Sequence, residues 1–426
     1  MKPSARIQAA IELLLEIEDS AYPMDSVVQK YFRARRFIGS NDRTDISNRV
    51  YSILRNKAKL GWQLERNYCQ VTARNYVLGW LLLGEGKSKT EIDELFDGEK
   101  FSPERITKEE NEIVDSLTAH TLEHPHMPEE ITTECPKSCY ASLKAKFNDR
   151  FQEEMLAMQG PAPLDIRVNT VKTNREKVLS FLHENNIKAE PCKLSPYGIR
   201  INQKVNLNNL KPLKDGSIEV QDEGSQLIAM LVKPAPSDRV IDFCAGAGGK
   251  TLALAAMMNN KGKIYACDTN ATRLKKGAER FRKAGFHNIE TKVLTSGHDE
   301  WIKKHEKSFD KVLVDAPCSG TGTWRRNPDS RWKPLGLEKL VQQQYNILSS
   351  ASRLVKNKGQ LVYATCSLLK EENEQQINRF LKEHKDFEPI PCGIKGEPYL
   401  SLSPAQNNTD GFFAAVLEKS ARNSGI

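Results

Sequence analysis

Asp242-Phe243-Cys244-Ala245-Gly246-Ala247-Gly248-Gly249-Lys250-Thr251 is the stretch that decides the fold. Arg239 to Ala245 is apolar enough for a buried strand and Lys250 to Met258 reads as a helix, so the glycines stand at a strand-to-helix turn. Glycines there let a ligand approach the backbone, whose free N–H groups gather at the helix start. Outward from this turn the pattern repeats. Further strands are predicted at Lys263 to Asp268, Ile289 to Leu294, Phe309 to Ala316 and Gly359 to Thr365, with helices at Ala271 to Ala284, Leu337 to Val355 and Glu371 to His384. Short strands separated by long helices imply right-handed crossovers and an α/β fold with a doubly wound, mostly parallel, Rossmann-like sheet. Ligands of such sheets bind beyond the carboxyl ends of the strands.

The second strand ends in Asp268, 18 residues past Lys250, where a carboxylate can accept hydrogen bonds from ribose hydroxyls. Turn and carboxylate together describe a nucleoside pocket. Gly249-Lys250-Thr251 also looks like the end of a phosphate-binding loop, and Val312-Leu313-Val314-Asp315 like the aspartate strand of a nucleotide triphosphatase. That alternative fails where the loop needs a glycine five residues before Gly249, because Cys244 stands there. Asp242 would also repel a polyphosphate. An S-adenosylmethionine pocket is the better reading.

Asp315-Ala316-Pro317-Cys318 closes the fourth strand and Thr365-Cys366-Ser367 the fifth. If these strands are neighbours, about 5 Å apart, both thiols face one cleft beside the nucleoside pocket. A lone cysteine at a strand end is ordinarily a small buried hydrophobe. Two at adjacent tips point to chemistry. Carbon 5 of cytosine is a poor nucleophile until a thiolate adds at carbon 6, and the adduct must then lose a proton and expel the thiol. Methylation of an amino group needs no thiol.

The chain as a whole, 426 residues with 39% hydrophobic and 28% charged, fits a multidomain, globular protein. Residues 1–130 read as an all-α domain: Ile7, Ala10, Ile11, Leu14 and Leu15 recur at helical spacing, as do Ile46, Val50, Ile53 and Leu54. Prolines 125 and 128 and the polar run to Pro136 suggest a linker. Residues 141–232 form a small α/β module, with strands at Leu164 to Asn169, Gly198 to Ile201 and Ser217 to Val220 and a helix at Asn174 to His183. Residues 233–422 make the third domain. The net charge of +8 is modest, but from Arg33 to Arg74 ten basic residues face three acids, which suggests nucleic acid as a partner. Nine scattered cysteines and no secretory segment imply reduced thiols in a cytoplasmic protein, and no stretch approaches the ~20 apolar residues of a membrane span.

Asp242 to Thr251, Asp315-Ala316-Pro317-Cys318-Ser319-Gly320-Thr321-Gly322, Tyr363-Ala364-Thr365-Cys366-Ser367 with Glu371-Glu372-Asn373-Glu374, and Asp410-Gly411-Phe412-Phe413 together closely resemble the RsmB/Sun/Nop RNA cytosine-5 methyltransferases, over about Gln221 to Glu418. The resemblance implies that Cys366 attacks carbon 6, that Cys318 assists proton loss or release, and that Asp315 contacts the target base. It also implies that Cys244, Ala245, Gly246, Ala247, Gly248, Gly249 and Lys250 hold S-adenosylmethionine, with Asp268 on its ribose and Arg273 and Asp315 in support. The helical N-terminus is similar to the NusB-like RNA-binding domain of the ribosomal-RNA branch, and the small module to the RRM-like region before the catalytic domain. Two departures stand out: Gly246-Ala247 replaces the common Ala-Pro, and Thr295-Ser296-Gly297, with Asp299 beyond, stands where an acid for the adenine is usual.

Trp324-Arg325-Arg326 and Arg331-Trp332-Lys333 follow Cys318, and Arg325 and Arg326 are candidates for RNA phosphates, with Trp332 either stacking on an extruded base or packing a loop. His120, His124, His126, Cys135 and Cys139 match no closed zinc pattern, so no metal is expected. The expectation is a monomeric, cytoplasmic RNA cytosine-5 methyltransferase acting on ribosomal RNA, with transfer RNA as the alternative substrate. From other classes come an RNA-dependent nucleotide triphosphatase and an inactive RNA-binding assembly factor, against which the paired thiols weigh.

Overall fold

The computed structural model describes residues 1–421 apart from 119, 296 and 298. Ser296 of the expected adenine stretch and the end of the third domain at 422 therefore lie outside the described residues. The chain groups into two compact units: residues 1–161 with 324–334, and residues 162–323 with 335 onward.

Among its described residues the first unit contains helices and turns only. Helix Pro3–Glu18 buries Ile7, Ala10, Ile11, Leu14 and Ile17, and helix Ser40–Arg55 buries Ile46, Val50, Ile53 and Leu54, the stripes that the 3.6-residue period predicts. Thr107 and Glu110 close a reciprocal cap at the start of helix Lys108–Leu117. The polar run toward Pro136 is built into this unit. Glu134, fully buried, accepts hydrogen bonds from the backbone N–H groups of Ala58 (2.8 Å) and Lys59 (2.9 Å), and burial pushes its carboxyl up to about 7.

The segment 324–334 completes the same unit. Trp324 is 1% exposed with the Arg331 guanidinium 4.7 Å from its ring centroid, Trp332 Nε1 donates to the Leu54 carbonyl at 2.8 Å, and Arg331 donates to the Met158 carbonyl at 3.2 Å. Asp329 accepts from the Met24 N–H and from Lys333. Arg325 is buried and its carbonyl accepts from Arg55 at 3.1 Å, while Arg326 is half-buried. Of the two roles open to Trp332, the structure therefore shows packing: its indole N–H is spent on a helix carbonyl.

The second unit opens with a small antiparallel sheet of β1 (Leu164–Val168), β2 (Ala189–Pro191), β3 (Gly198–Ile201) and β4 (Ile218–Val220), in the order β2-β3-β1-β4. Helix Arg175–Glu184 packs Val178 and Leu182 with Ile166, Val168, Ile199 and Ile218. Strand β2 carries a proline, which an edge position tolerates.

The large sheet holds β5 (Arg239–Asp242), β6 (Lys263–Asp268), β7 (Ile289–Val293), β8 (Phe309–Asp315), β9 (Val355–Thr365), β10 (Phe387–Ile390), β11 (Leu400–Leu402) and β12 (Phe412–Lys419). Its order is β10-β12-β9-β8-β5-β6-β7, with β11 also paired to β12. Strands β5 to β9 run parallel, and β10, β11 and β12 pair antiparallel, so the sheet is mostly parallel as its alternation of strands and helices predicts. Successive residues feed opposite layers: Leu313, Val362 and Ala364 join one core, while Val312, Val314, Leu361 and Tyr363 join the other. The chain enters at β5, winds out to β7, then crosses to β8 on the other side of β5. That reversal leaves a crevice at the carboxyl ends of β5 and β8. No helix among the described residues is long and apolar enough to cross a membrane.

Candidate active site

The turn after β5 is shaped by two left-handed glycines, Gly246 (φ +55°) and Gly248 (φ +79°). A β-carbon on Gly248 would lie 2.2 Å from the Phe281 ring, so this position needs glycine for both its φ and its space. The Gly246 N–H donates to Asp268 Oδ2 at 2.7 Å, and the Asn270 N–H donates to Oδ1 at 2.8 Å. Asp268 thereby ties the ends of β5 and β6 together and keeps both oxygens at a fixed place on the crevice wall.

A cavity of about 1160 Å³ occupies the crevice, and its walls include Cys244, Asp268, Arg273, Asp315, Cys318 and Cys366. The remaining residues expected to bind the cofactor, Ala245, Gly246, Ala247, Gly248, Gly249 and Lys250, form the turn and the first residues of helix Gly249–Met257. Asp242 is 1% exposed, accepts from the Thr251 hydroxyl at 2.7 Å and leaves Oδ1 without a partner. Burial, aggravated by Asp315 and Asp268 and opposed by Thr251 and Lys250, pushes its carboxyl up to about 7. Lys250 Nζ lies 2.7 Å from Asp315 Oδ2. Burial works against the ammonium, but the charge of Asp315 and its hydrogen bond outweigh it and hold Lys250 above its ordinary range. Burial, with the nearby carboxylates, drives the Cys244 thiol far up, which makes it an uncharged wall rather than a nucleophile.

Strands β8 and β9 are neighbours in parallel register, Asp315 opposite Ala364, so their tips carry Cys318 and Cys366 to the same place. The two sulfurs lie 3.3 Å apart. The hydrogen bond with Cys366, together with burial, raises the Cys318 thiol well above its usual range. The loops beyond the strands lock together: the Gly322 N–H donates to the Cys366 carbonyl at 2.9 Å, and the Gly411 N–H donates to the Gly322 carbonyl at 2.8 Å. This accounts for the glycines in both motifs, because a β-carbon on Gly322 would stand 2.2 Å from the Gly411 carbonyl oxygen.

Asp299 does not line the cavity. It accepts from the Thr295 N–H and hydroxyl and from the Trp301 N–H, capping helix Glu300–Lys304, and these bonds hold it down at about 2. The cavity wall at that end is Leu294 and Gly297, facing residues of helix Leu337–Ser352. Glu338, Gln342, Asn346 and Ser350 of that helix line the cavity at four-residue spacing. The stripe is visible in the sequence, but polar residues at helical spacing ordinarily face solvent, so nothing marked it as a wall.

Among the described residues, Asp165, Cys192 and Glu223 are the one group of three with metal-ligand spacing. Arg200 already occupies it, bonding Asp165 at 2.7 and 2.9 Å and lying 3.6 Å from Glu223. The candidate histidine and cysteine cluster forms no such group among the described residues; burial pushes the Cys135 thiol to about 12.

Residues 229–418 match the family model described as 16S rRNA methyltransferase RsmB/F, and residues 135–208 that of an RsmF/B-like ferredoxin-like domain. The chain is 36% identical over 276 residues to a protein of Synechocystis sp. named "probable ribosomal RNA small subunit methyltransferase B", which covers 61% of each. It is 33% identical over 287 residues to the ribosomal RNA small subunit methyltransferase B of Photorhabdus laumondii, covering 67% of this chain and 66% of that one. The chain thus spans less than two thirds of the length of these curated relatives. The solved structure of a protein designated PH0851 superposes with a TM-score of 0.82 and 26% identity, over 98% of this chain and 99% of that one.

Proposed function

We propose, from the premise that this chain belongs to the RsmB/Sun/Nop family, that it methylates carbon 5 of a cytosine in RNA, through a covalent bond between Cys366 and carbon 6. Ribosomal RNA is the favoured substrate, on the names of its relatives, and transfer RNA the alternative. The observation that carries this reading is the thiol pair, 3.3 Å apart at neighbouring strand tips beside a crevice lined by Asp268 and Asp315.

S-adenosylmethionine fits that crevice by charge. Asp268, Asp315 and the guanidinium of Arg273 line it, Lys250 pairs with Asp315, and behind the wall Asp242 retains an unpartnered buried oxygen, so three carboxylates stand against two cations, a surplus suited to a cationic ligand. Asp268 would accept from the ribose hydroxyls, Gly246 to Gly249 would admit the ligand against the backbone, and Arg273 would support it. When bound, this group supplies an electrophilic methyl. The protein's own part is to add Cys366 to carbon 6, which gives carbon 5 enamine character. Asp315, held by Lys250, meets the base edge. A water then takes the carbon 5 proton as the bond to Cys366 breaks, and Cys318, protonated and 3.3 Å away, donates a hydrogen bond to the departing Cys366 sulfur. The triphosphatase reading loses ground, because Lys250 is engaged by Asp315 and Cys244 stands where a phosphate loop needs glycine.

The test is denaturing electrophoresis of Cys318→Ala with unmodified ribosomal RNA and S-adenosylmethionine. A protein–RNA band that survives denaturation, needs the cofactor and vanishes in Cys318→Ala/Cys366→Ala is the expected result. A band with transfer RNA alone moves the substrate, and none with either RNA sinks the reading.

Asp242 adds a prediction about pH. Its carboxyl is raised to about 7 first by burial and then by the charges of Asp315 and Asp268, and a bound cation favours the ionised form. Binding then releases a proton, so affinity for S-adenosylmethionine rises as pH climbs through about 7. Calorimetry between pH 6 and 8 should show this rise, and Asp242→Asn should flatten it.

A further inference from the structure

Glu372, completely buried, lies outside the roles assigned so far. Its Oε1 accepts from the Ser319 N–H at 2.8 Å and from Gln344 Nε2 at 2.8 Å; its Oε2 accepts from the Ser319 hydroxyl at 2.5 Å and from the Ser367 hydroxyl. Ser319 follows Cys318 and Ser367 follows Cys366. Gln344 also donates to the Pro317 carbonyl, on the other side of Cys318, at 3.0 Å. One carboxylate therefore gathers donors from both cysteine loops and from the helix behind them. The next residue continues the pattern, since Asn373 accepts from the Thr365 hydroxyl at 2.6 Å and donates to the Ser367 carbonyl at 2.8 Å, bracketing Cys366. Burying a carboxylate is costly unless its lone pairs are filled, and here four donors fill them.

We propose that Glu372 is the positioning residue of the thiol pair, holding the Cys318 and Cys366 loops at their mutual spacing; this rests on the reading of those thiols as the reacting groups. Glu372 touches no reacting atom and acts through Ser319 and Ser367. Its charge also reaches Cys318, where it opposes ionisation, while the Gly320 N–H favours it. The other titratable groups facing the pair are the thiols themselves, Tyr363, whose hydroxyl donates to the Glu372 carbonyl at 2.8 Å, and Lys250, which interacts with Cys366. Glu372 thus adds to what already favours the protonated form at Cys318, after its hydrogen bond with Cys366 and its burial.

The test is the pH dependence of iodoacetamide alkylation of Cys318 and Cys366 in the full chain, read peptide by peptide by mass spectrometry, without RNA or cofactor. Glu372→Gln, with a melting curve to establish that it folds, should speed alkylation of Cys318 roughly ten-fold at a pH below its midpoint. It should also lower kcat for methyl transfer while leaving KM for RNA within about two-fold. Should Glu372→Gln fail to fold, Ser319→Ala and Ser367→Ala carry the test: the first should change the profile of Cys318 more than that of Cys366, and the second the reverse. A folded Glu372→Gln with both profiles unchanged, or serine variants that leave both unchanged, overturns the proposal. If the profiles shift but the native protein methylates neither RNA, the clamp stands and the proposed function falls.

Discussion

Cys366→Ala should lose methyl transfer by at least about a thousand-fold while binding RNA and S-adenosylmethionine within a few-fold of the native protein. The sulfur is the atom that makes carbon 5 reactive, and no neighbour can substitute. Cys318, 3.3 Å away, is held as a protonated thiol by its hydrogen bond and its burial. Cys244 is an uncharged wall, and Asp315 is committed to Lys250. Loss of one sulfur atom from a half-buried side chain leaves the loop bonds intact, because those run through the Cys366 carbonyl, Ser367 and Thr365. Single-turnover incorporation of labelled methyl, with filter binding as the control, checks both halves. Retained transfer would mean that the target atom needs no covalent activation, and with it the assignment of carbon 5 would fail.

Gly322→Ala should be nearly as damaging, though no part of Gly322 takes part in chemistry. Its added methyl would meet the Gly411 carbonyl oxygen at 2.2 Å and the Gly411 α-carbon at 2.7 Å. These are backbone atoms, which cannot swing aside as a flexible side chain would, so the strand tips must part. Overpacking of this kind costs about 1–3 kcal/mol, and more where nothing yields. The Gly322 N–H bond to the Cys366 carbonyl and the Gly411 bond to the Gly322 carbonyl both lengthen as the loops separate. Because a misplacement of about 1 Å can cost on the order of a hundred-fold in rate, transfer should fall by about that factor as the melting temperature drops. Calorimetry and methyl incorporation on the same preparation test this, and an unchanged melting temperature would contradict it.

Much of this site was legible from the sequence for a definite reason. A buried parallel strand announces itself by an unbroken apolar run, and the residue that ends the run is the one placed over the crevice. Asp268, Asp315, Cys318 and Cys366 were all found in this way, and β6 and helix Ala271–Ala284 have the bounds that the pattern predicts. What stayed hidden depends on partners distant in the chain. Glu372 is one of four residues in an acidic, solvated-looking run, and only the fold shows that Ser319, Ser367 and Gln344 converge on it. The adenine contact stayed open, and the sequence does not show that Asp299, just beyond the stretch where an acid is usual, is already spent capping a helix. The pattern at 324–333 was ambiguous in kind: arginine and tryptophan interleave equally in a nucleic-acid surface and in a packed corner, and the buried Trp324 belongs to the second.

That corner constrains the order of events during synthesis. The first unit consists of residues 1–161 and 324–334, so its last pieces are made roughly 160 residues after its helices. At about 5–20 residues per second, the ribosome needs on the order of ten to thirty seconds to supply them. During that interval Trp332 is not yet available to the Leu54 carbonyl, and Glu134 lies in a unit without Arg331 and its opposing charge. The amino-terminal helices, although first to emerge, gain these contacts only once the segment beyond Cys318 has been made. A fragment ended at Pro161 would lack them altogether.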